Sequence, residues 1–181
     1  MKSISKSSLL ALALFAAAGA NAQTQGKTSQ FYGEAAVAPI RYEEAGYSFT
    51  PTAIRGILGY EAHPNFAFEG MFGFGVSEGS TQIRGANVTF SVDNTFGIYV
   101  RPKVALTPEF ELFGRLGFAR SGATLSVQGG SISSSESDMS YGFGAALKLS
   151  PALALVGDYM SYYNKNGVNA KGVGIGLRFS F

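Results

Sequence analysis

The last ten residues of the chain alternate strictly between two kinds of side chain. The odd positions carry large apolar residues, namely Val173, Ile175, Leu177, Phe179 and Phe181. The even positions carry three glycines, at 172, 174 and 176, followed by Arg178 and Ser180. A period of two indicates a β-strand with two different faces. One face is bulky and the other nearly empty, so the strand belongs to a sheet whose two sides meet different surroundings.

The same alternation recurs in seven earlier segments. They span residues 31–38, 53–61, 66–76, 88–106, 110–119, 140–149 and 153–160. Turns with Pro64, Pro108 and Pro151 recur at intervals of 44 and 43 residues, and each joins two segments tightly. Polar, Gly-rich stretches at 39–52, 77–87 and 120–138 predict longer loops, and the 164–167 stretch NKNG makes the fourth connection at that end. The pattern therefore predicts eight antiparallel strands, with short turns at one end and four longer loops at the other.

Charged residues are confined to one of the two faces. The bulky face contains about 40 positions over the eight segments and includes no Asp, Glu, Lys or Arg. In the 88–106 segment this face is predicted to include Val88, Phe90 and Val92 as well as Phe96. The opposite face carries the charged side chains that we expect in the interior: Glu34, Arg55, Glu61, Glu69, Arg101, Lys103, Glu111, Arg115, Lys148, Asp158 and Arg178.

Two kinds of eight-stranded barrel fit this pattern. A soluble barrel would point the Phe, Leu and Val side chains inward and the charged face to water. The interior of a closed eight-stranded barrel is only just wide enough to be filled by side chains. More than a dozen Phe and Tyr residues would overfill it, whereas the small polar face with scattered ions fits. The limited volume of the interior favours a transmembrane barrel with its apolar face toward lipid.

The first 22 residues have the features of a cleavable secretory leader. Lys2 and Lys6 precede an apolar run at 9–18, which ends in the small-residue pattern Ala20-Asn21-Ala22. The run is too short to span a bilayer, which needs about 20 apolar residues. We therefore expect a signal peptide at 1–22 and a barrel domain at 23–181. Without the two lysines the 14 basic residues become 12, equal to the 12 acidic ones, so the mature charge gives no reason to expect nucleic-acid binding.

Several classes of catalytic site are disfavoured by residue content. The chain has no cysteine, so it has neither disulfides nor thiol chemistry. Its one histidine, His63, lies in a predicted tight turn, far from the outer loops. No second His or Cys is available to complete a metal site or a nucleophilic triad. We expect no enzyme activity and no cofactor. A lipid-modifying enzyme that depends on His63 is kept as a third possibility.

Five stretches carry a resemblance to a known family. They are Gly59-Tyr60-Glu61, the 66–70 stretch FAFEG, the 99–103 stretch YVRPK, the 110–117 stretch FELFGRLG and the terminal Phe181. Together they resemble the small eight-stranded outer-membrane β-barrels of Gram-negative bacteria, the OmpA-, OmpX- and Ail-like and opacity-protein-like group. The resemblance covers the whole mature chain. It implies an outer-membrane location, contact with lipid and lipopolysaccharide, and reading of the terminal strand, Phe179 and Phe181 included, by the outer-membrane assembly machinery.

The interior charges and the outer loops are the candidate functional features. Unpaired charges in a barrel interior are costly, so we expect the eleven charged residues to form a salt-bridge network that fills the lumen. The outer loops are candidates for binding a host or surface ligand, because loops on a rigid scaffold often carry function. We also expect Thr81–Arg84 to pair with Val88–Val92 as a projecting hairpin. The first hypothesis is an adhesin-like surface protein, and the alternative is a narrow channel for ions or small solutes.

Overall fold

A computed structural model describes residues 30–44, 46–83, 86–127, 130–165 and 167–181. The expected signal peptide at 1–22 and the expected domain start at Gln23 lie outside these residues. Within the described ranges the regular structure consists of strands, and no helix is long and apolar enough to cross a membrane.

Eight long strands form the wall of a closed antiparallel barrel. The strands in chain order are β1 Phe31–Glu44, β2 Tyr47–Phe49, β3 Thr52–His63, β4 Phe66–Ser77, β5 Gly79–Ile83, β6 Ala86–Ala105, β7 Phe110–Val127, β8 Gly130–Ser150, β9 Leu153–Lys165 and β10 Val168–Ser180. β2 and β5 are short strands at the loop end, where β2 pairs with β1 and β5 with β6. The remaining eight follow each other around the wall, in agreement with the sequence prediction.

The first and last long strands close the barrel. β1 pairs with β10 over their whole lengths, from Tyr32 opposite Ser180 to Glu44 opposite Val168. The backbone N–H of Phe181 also donates to the carbonyl oxygen of Phe31, at 3.3 Å. Closure leaves the transmembrane wall without an unpaired edge, which lipid would not tolerate.

The apolar face of the wall points outward. Ile98, Phe143 and Phe118 are 70%, 68% and 65% exposed, whereas Arg101 and Arg115 on the inner face are 0% and 2% exposed. The transmembrane barrel is therefore confirmed and the soluble barrel is excluded. On the outer face the apolar band gives way to polar side chains at Arg41, Asn94, Arg120 and Lys171. We call the side beyond these residues the loop end, and the side with the three proline turns the turn end.

One predicted strand face is wrong because of a β-bulge in β6. The ladder between β6 and β7 shifts register between Val92 and Asn94, where the chain inserts one extra residue. A one-residue shift moves the side chains beyond it to the opposite face. Val88, Phe90 and Val92 are consequently buried inside the barrel, at 4%, 5% and 9% exposure, whereas Phe96 faces outward at 59%.

Two predicted loops are largely strand. β1 continues through residues 39–44, and the predicted 120–138 loop is a hairpin in which β7 and β8 stay paired up to Val127 opposite Gly130. The hairpin predicted for Thr81–Arg84 and Val88–Val92 is present, since Thr81 lies opposite Val88 and Gly79 opposite Phe90. Arg84 lies outside the described residues. Because strands stay paired in these segments, the barrel wall at the loop end is taller than it would be if the segments were loops.

Candidate functional site

The centre of the lumen is occupied by the guanidinium group of Arg115. It donates from Nε to Glu69 Oε2 at 2.5 Å and from Nη2 to both carboxylate oxygens of Glu34, each at 3.0 Å. Its Nη1 donates to Asp158. The three carboxylates come from β1, β4 and β9, so one side chain of β7 links three other parts of the wall.

Arg55 and Arg178 surround this centre. Arg55 donates to Asp158 Oδ2 at 2.5 Å and lies 3.7 Å from Glu34 Oε1. Arg178, from the last strand, donates to Glu34 Oε2 at 3.2 Å and to Glu111 Oε1 at 3.4 Å. Glu34 thus forms ion pairs with three arginines, which lie on three different strands.

The network continues toward the turn end. Arg101 donates to Glu111 Oε1 at 2.6 Å, and its Nε lies 3.4 Å from Glu69 Oε1. Lys103 is paired with Glu61 and lies 3.5 Å from Glu111 Oε2. The chain of contacts therefore runs without interruption from Asp158 to Glu61.

The structure brings together ten of the eleven charged residues expected in the lumen. Lys148 is the exception, because it lies exposed close to the Pro151 turn and makes no ion pair among the residues described. The other ten comprise five cations and five carboxylates, so their formal charges cancel: Arg55, Arg101, Lys103, Arg115 and Arg178 against Glu34, Glu61, Glu69, Glu111 and Asp158. Balance of this kind is what a buried ionic cluster needs to offset the loss of hydration.

Two aromatic side chains belong to the network and were not singled out from the sequence. The Tyr32 hydroxyl donates to Glu69 Oε1 at 2.5 Å, and the guanidinium carbon of Arg178 lies 4.8 Å from the centre of its ring. The Phe113 ring lies beneath Arg101, at 4.0 Å from its guanidinium carbon. Both residues share the strand face of the charged residues, and that parity is the signal that could have identified them.

Glycine on the inner face leaves the space that the network fills. A Cβ atom at Gly174 would lie 2.6 Å from Asp158 Oδ1 and 2.9 Å from Arg55 Nη2, both closer than atoms can approach. The nearly empty face of the last strand therefore accommodates ions contributed by other strands.

An apolar layer covers the network on the side of the loop end. It consists of Ile40, Ala53, Ile57, Met71, Tyr99, Met160 and Tyr162. The Tyr162 hydroxyl accepts a hydrogen bond from Arg55 Nη1 at 2.9 Å, and Tyr99 donates to Ser140 Oγ at 3.0 Å. The two tyrosines thus direct their polar atoms to partners while their rings contribute to the apolar layer.

Above this layer the barrel opens into a cavity of about 690 Å³, which we call the outer vestibule. Its wall is mostly aromatic and aliphatic, and includes Tyr42, Phe49, Phe90, Val92, Leu125, Tyr162 and Tyr163. The Tyr42 and Phe90 rings stack at 4.2 Å, and Tyr42 donates to Glu44 Oε2 at 2.7 Å. Burial and this hydrogen bond raise the pKa of Tyr42. The sequence did not predict an apolar vestibule, because Phe90 and Val92 were placed on the lipid face.

His63 lies in the first proline turn, as expected. Its Nδ1 accepts a hydrogen bond from the backbone N–H of Asn65 at 3.2 Å, and its ring stacks on Phe66 at 5.4 Å. Both contacts are local to the turn, at the opposite end of the barrel from the vestibule.

Solved structures similar to this chain include barrel proteins of bacteria. Ail, the attachment invasion locus protein of Yersinia pestis, is 19% identical with a TM-score of 0.63, over 86% of this chain and 100% of that one. Neisserial surface protein A is 13% identical with a TM-score of 0.64, over the same shares. OprG from Pseudomonas aeruginosa is 9% identical with a TM-score of 0.58, over 88% of this chain and 99% of that one. At these identities the likeness shows the fold alone.

No curated protein matches the chain. The model of one protein family, described as the outer membrane protein beta-barrel domain, matches residues 8–181. The match spans nearly the entire sequence, and it agrees with the closed wall, the outward apolar band and the charged interior. The chain belongs to the outer membrane protein beta-barrel domain family.

Proposed function

We propose that this protein is a non-enzymatic, adhesin-like surface protein of the Gram-negative outer membrane, with a closed lumen and a loop end that binds or shields. The observation that carries the proposal is the tall wall at the loop end. β6, β7 and β8 are 20, 18 and 21 residues long. A tilted transmembrane strand needs only about 9–11 residues, so each of these strands has a surplus that projects beyond the membrane.

The projecting part is ordered by backbone pairing rather than left as a loose loop. Beyond Arg120, seven further residues of β7 pair with β8, ending at Val127 opposite Gly130. A paired wall presents its side chains in fixed positions, which lowers the entropy lost when a partner binds. This supports a surface role for the hairpin.

The closed lumen argues against the alternative of a narrow channel. Glu34 and Arg115 meet across the bore, and Arg101 pairs with Glu69 and Glu111 beside them. Glu34, Arg101 and Arg115 are 0%, 0% and 2% exposed. An ion could pass only by breaking several charge-assisted hydrogen bonds in a poorly hydrated interior, where they are strong.

Single-channel recording in planar bilayers tests the closed lumen. We expect no discrete conductance steps from the purified, refolded barrel. Reproducible steps that scale with protein concentration would contradict this part of the proposal and favour the channel.

Truncation of the hairpin tests the surface role. Residues 124–133 are replaced by an Asn-Gly turn, which joins two positions that already lie opposite each other, Ala123 and Ser134. We expect bacteria expressing the shortened protein to adhere less to cultured epithelial cells, at equal surface amounts. Lys148→Met is the control, because it changes an exposed residue of β8 at the turn end and leaves the hairpin intact; adhesion of this variant is expected to be unchanged. Unchanged adhesion after truncation would contradict a binding role for this hairpin.

We further propose contact with lipopolysaccharide at the upper edge of the apolar band. Arg41, Arg120 and Lys171 lie on the outer face there, where phosphate groups of the outer leaflet would meet them. We also propose that the leader at 1–22 directs export and is cleaved, which N-terminal sequencing of the mature protein would test. The outer-membrane assembly machinery would then recognise the terminal strand through Phe179 and Phe181.

We do not expect this chain to bind, at the mouth of its barrel, the ligand found in one of the similar structures. Ail has been solved in complex with the heparin analogue sucrose octasulfate, a polyanion. Among the residues that the structure describes, those with a charge that line the mouth of the barrel are Glu44 and Glu136. Two carboxylates would repel a highly sulfated ligand at that position.

A further inference from the structure

The outer vestibule has the dimensions of a small-molecule site. Its volume of about 690 Å³ lies inside the range of about 300–1,000 Å³ that is usual for such pockets. The apolar layer around Met160 and Tyr162 forms its floor, and the strand extensions form its sides. The inner face of the β7–β8 hairpin supplies part of these sides, including Leu125 and Glu136. Binding of a small molecule inside the cavity is a property distinct from adhesion through the outer surface of the hairpin.

Aromatic rings are concentrated on one side of the vestibule. Phe90 stacks on Tyr42 at 4.2 Å and lies 5.5 Å from Phe49, measured between ring centres. Tyr162 and Tyr163 line the wall as well. An aromatic wall attracts a cation through the negative faces of its rings, and the attraction is larger where water is displaced.

The charge of the vestibule is negative. Glu44 and Glu136 line it, and no Lys or Arg does so among the described residues. Two nearby cations, Arg41 and Lys171, contact Glu43 on the outer face instead, at 2.8 and 3.5 Å. The wall thus holds two carboxylates without a basic partner inside the cavity.

Two further observations agree with a negative potential at this end. Asp138 accepts a hydrogen bond from the backbone N–H of Asn164 at 3.0 Å, which holds a third carboxylate beside Tyr163. Desolvation and the charges of Glu136, Asp138 and Glu44 raise the pKa of Tyr163.

From these features we propose that the outer vestibule binds an organic cation with an aromatic or aliphatic body. The rings and aliphatic side chains accept the body of the ligand, and Glu44 and Glu136 complement its positive charge. A neutral apolar molecule would leave the two carboxylates without a cationic partner, and an anion would be repelled by them. Charge therefore selects among ligands that are equally apolar.

A pair of ions with the same shape and opposite charge tests this selection. Tetraphenylphosphonium and tetraphenylborate are titrated by calorimetry into the barrel in zwitterionic lipid nanodiscs, with empty nanodiscs to subtract partition into lipid. We expect saturable one-site binding of the phosphonium ion and none of the borate. Equal binding of both ions, or phosphonium binding no stronger than to empty discs, would overturn the proposal.

Three variants assign the binding to the vestibule. Combined Glu44→Gln and Glu136→Gln exchange is expected to weaken phosphonium binding about tenfold or more, since each carboxylate supplies attraction in a partly desolvated site. Glu43→Gln is the matched control, because it removes one charge from the same strand but on the outer face. Phe90→Ala is expected to weaken binding as well, while Phe96→Ala on the lipid face is expected to leave it unchanged.

Each variant is first checked for heat-modifiable gel mobility, which reports a folded barrel. A Glu43→Gln protein that loses as much affinity as the variant without Glu44 and Glu136 would also overturn the proposal, since binding would then follow total charge rather than the vestibule. A loss restricted to the vestibule variants supports it.

Discussion

Arg115 is the residue on which the interior of this barrel depends most. Its guanidinium donates to carboxylates of three strands and is 2% exposed. Removing one partner of a buried ionic cluster leaves the others without compensation, and this typically costs about 3–5 kcal/mol. Glu34, Glu69 and Asp158 would each lose a partner if Arg115 were replaced.

Exchange of Arg115 for methionine is therefore expected to lower the free energy of unfolding by about 3–5 kcal/mol. Methionine replaces the aliphatic part of the arginine side chain with an unbranched apolar one and removes the guanidinium group with its charge. The measurement is urea unfolding in lipid vesicles, followed by the loss of heat-modifiable gel mobility.

Lys148→Met provides the control for Arg115→Met. It removes one cation from the neighbouring strand, but Lys148 is exposed and makes no ion pair within the described part of the chain. We expect this variant to unfold within about 0.5 kcal/mol of the unchanged protein, as is usual for surface substitutions. Similar losses in both variants would contradict a special role for the buried network.

The sequence predicted the members of the network but not their partners. Alternation alone places Glu34, Arg115 and Asp158 on the inner face. Which of them meet depends on the stagger of the strands around the barrel, which sequence parity does not contain. Glu34 and Arg115 are 81 positions apart in the chain and still lie 3.0 Å from each other.

At the scale of the strand, the bulge in β6 determines which of its side chains line the vestibule. Without the extra residue between Val92 and Asn94, Phe90 and Val92 would share the lipid face with Phe96. With it, they line the mouth of the barrel. A bulge leaves no mark in the alternation of large and small residues, which explains why the sequence assigned these side chains to the wrong side.

Spin labels on β6 can test this reversal directly. The chain has no cysteine, so Val92→Cys and Phe96→Cys each provide a single labelling site. We expect a nitroxide at 96 to collide more often with oxygen dissolved in lipid, and one at 92 to collide more often with a water-soluble nickel complex. In a strand without a bulge the two even positions would lie on the same face.

The outcome that contradicts the bulge is lipid contact at both 92 and 96. Labels at 98 and 100 serve as references for the lipid face, since Ile98 and Val100 are 70% and 42% exposed. A label at 113, measured with the same two collision reagents, gives the reference for the inner face, since Phe113 is 5% exposed.

In the hairpin of β7 and β8, amino-acid composition led to a wrong prediction of secondary structure. Residues 120–138 are rich in Ser and Gly and lack regular apolar alternation, so they predict a loop. In the structure the backbone hydrogen bonds of the transmembrane ladder continue into them, with Ser121 opposite Glu136 and Leu125 opposite Ile132. Outside the membrane neither face of a strand has to be apolar, and the signal that identified the other strands is absent.

For the whole molecule, three zones follow one another along the barrel axis. The turn end carries tight turns and an aromatic rim, the middle holds a neutral ionic cluster, and the loop end opens into an apolar, acidic vestibule. The charge balance of the middle zone makes it suited to burial, whereas the unbalanced vestibule is suited to a charged ligand. The sequence predicted the tight turns and a charged interior, but not the vestibule.

Closure of the barrel depends on the last strand. A variant of the aromatic residue that follows it, Phe181, can distinguish an effect on assembly in cells from an effect on stability. Phe181 lies beyond the end of β10, and its backbone donates to Phe31 at 3.3 Å. Its side chain is partly buried at the rim of the wall, so Phe181→Ala is expected to lower the free energy of unfolding in vesicles by only about 1 kcal/mol and still to refold. If the assembly machinery reads this residue, the amount reaching the outer membrane in cells should fall several-fold.

Phe31→Ala is the control for Phe181→Ala, since Phe31 supplies an aromatic side chain at the same rim, 55% exposed, on the strand that pairs with β10. Both variants are quantified in outer-membrane fractions and, separately, by refolding yield in vesicles. Loss of the Phe181 variant from cells without loss of refolding yield indicates recognition of the terminal residue. Equal amounts of all three proteins in the outer membrane would contradict a terminal signal, because closure of the sheet would then be sufficient for insertion.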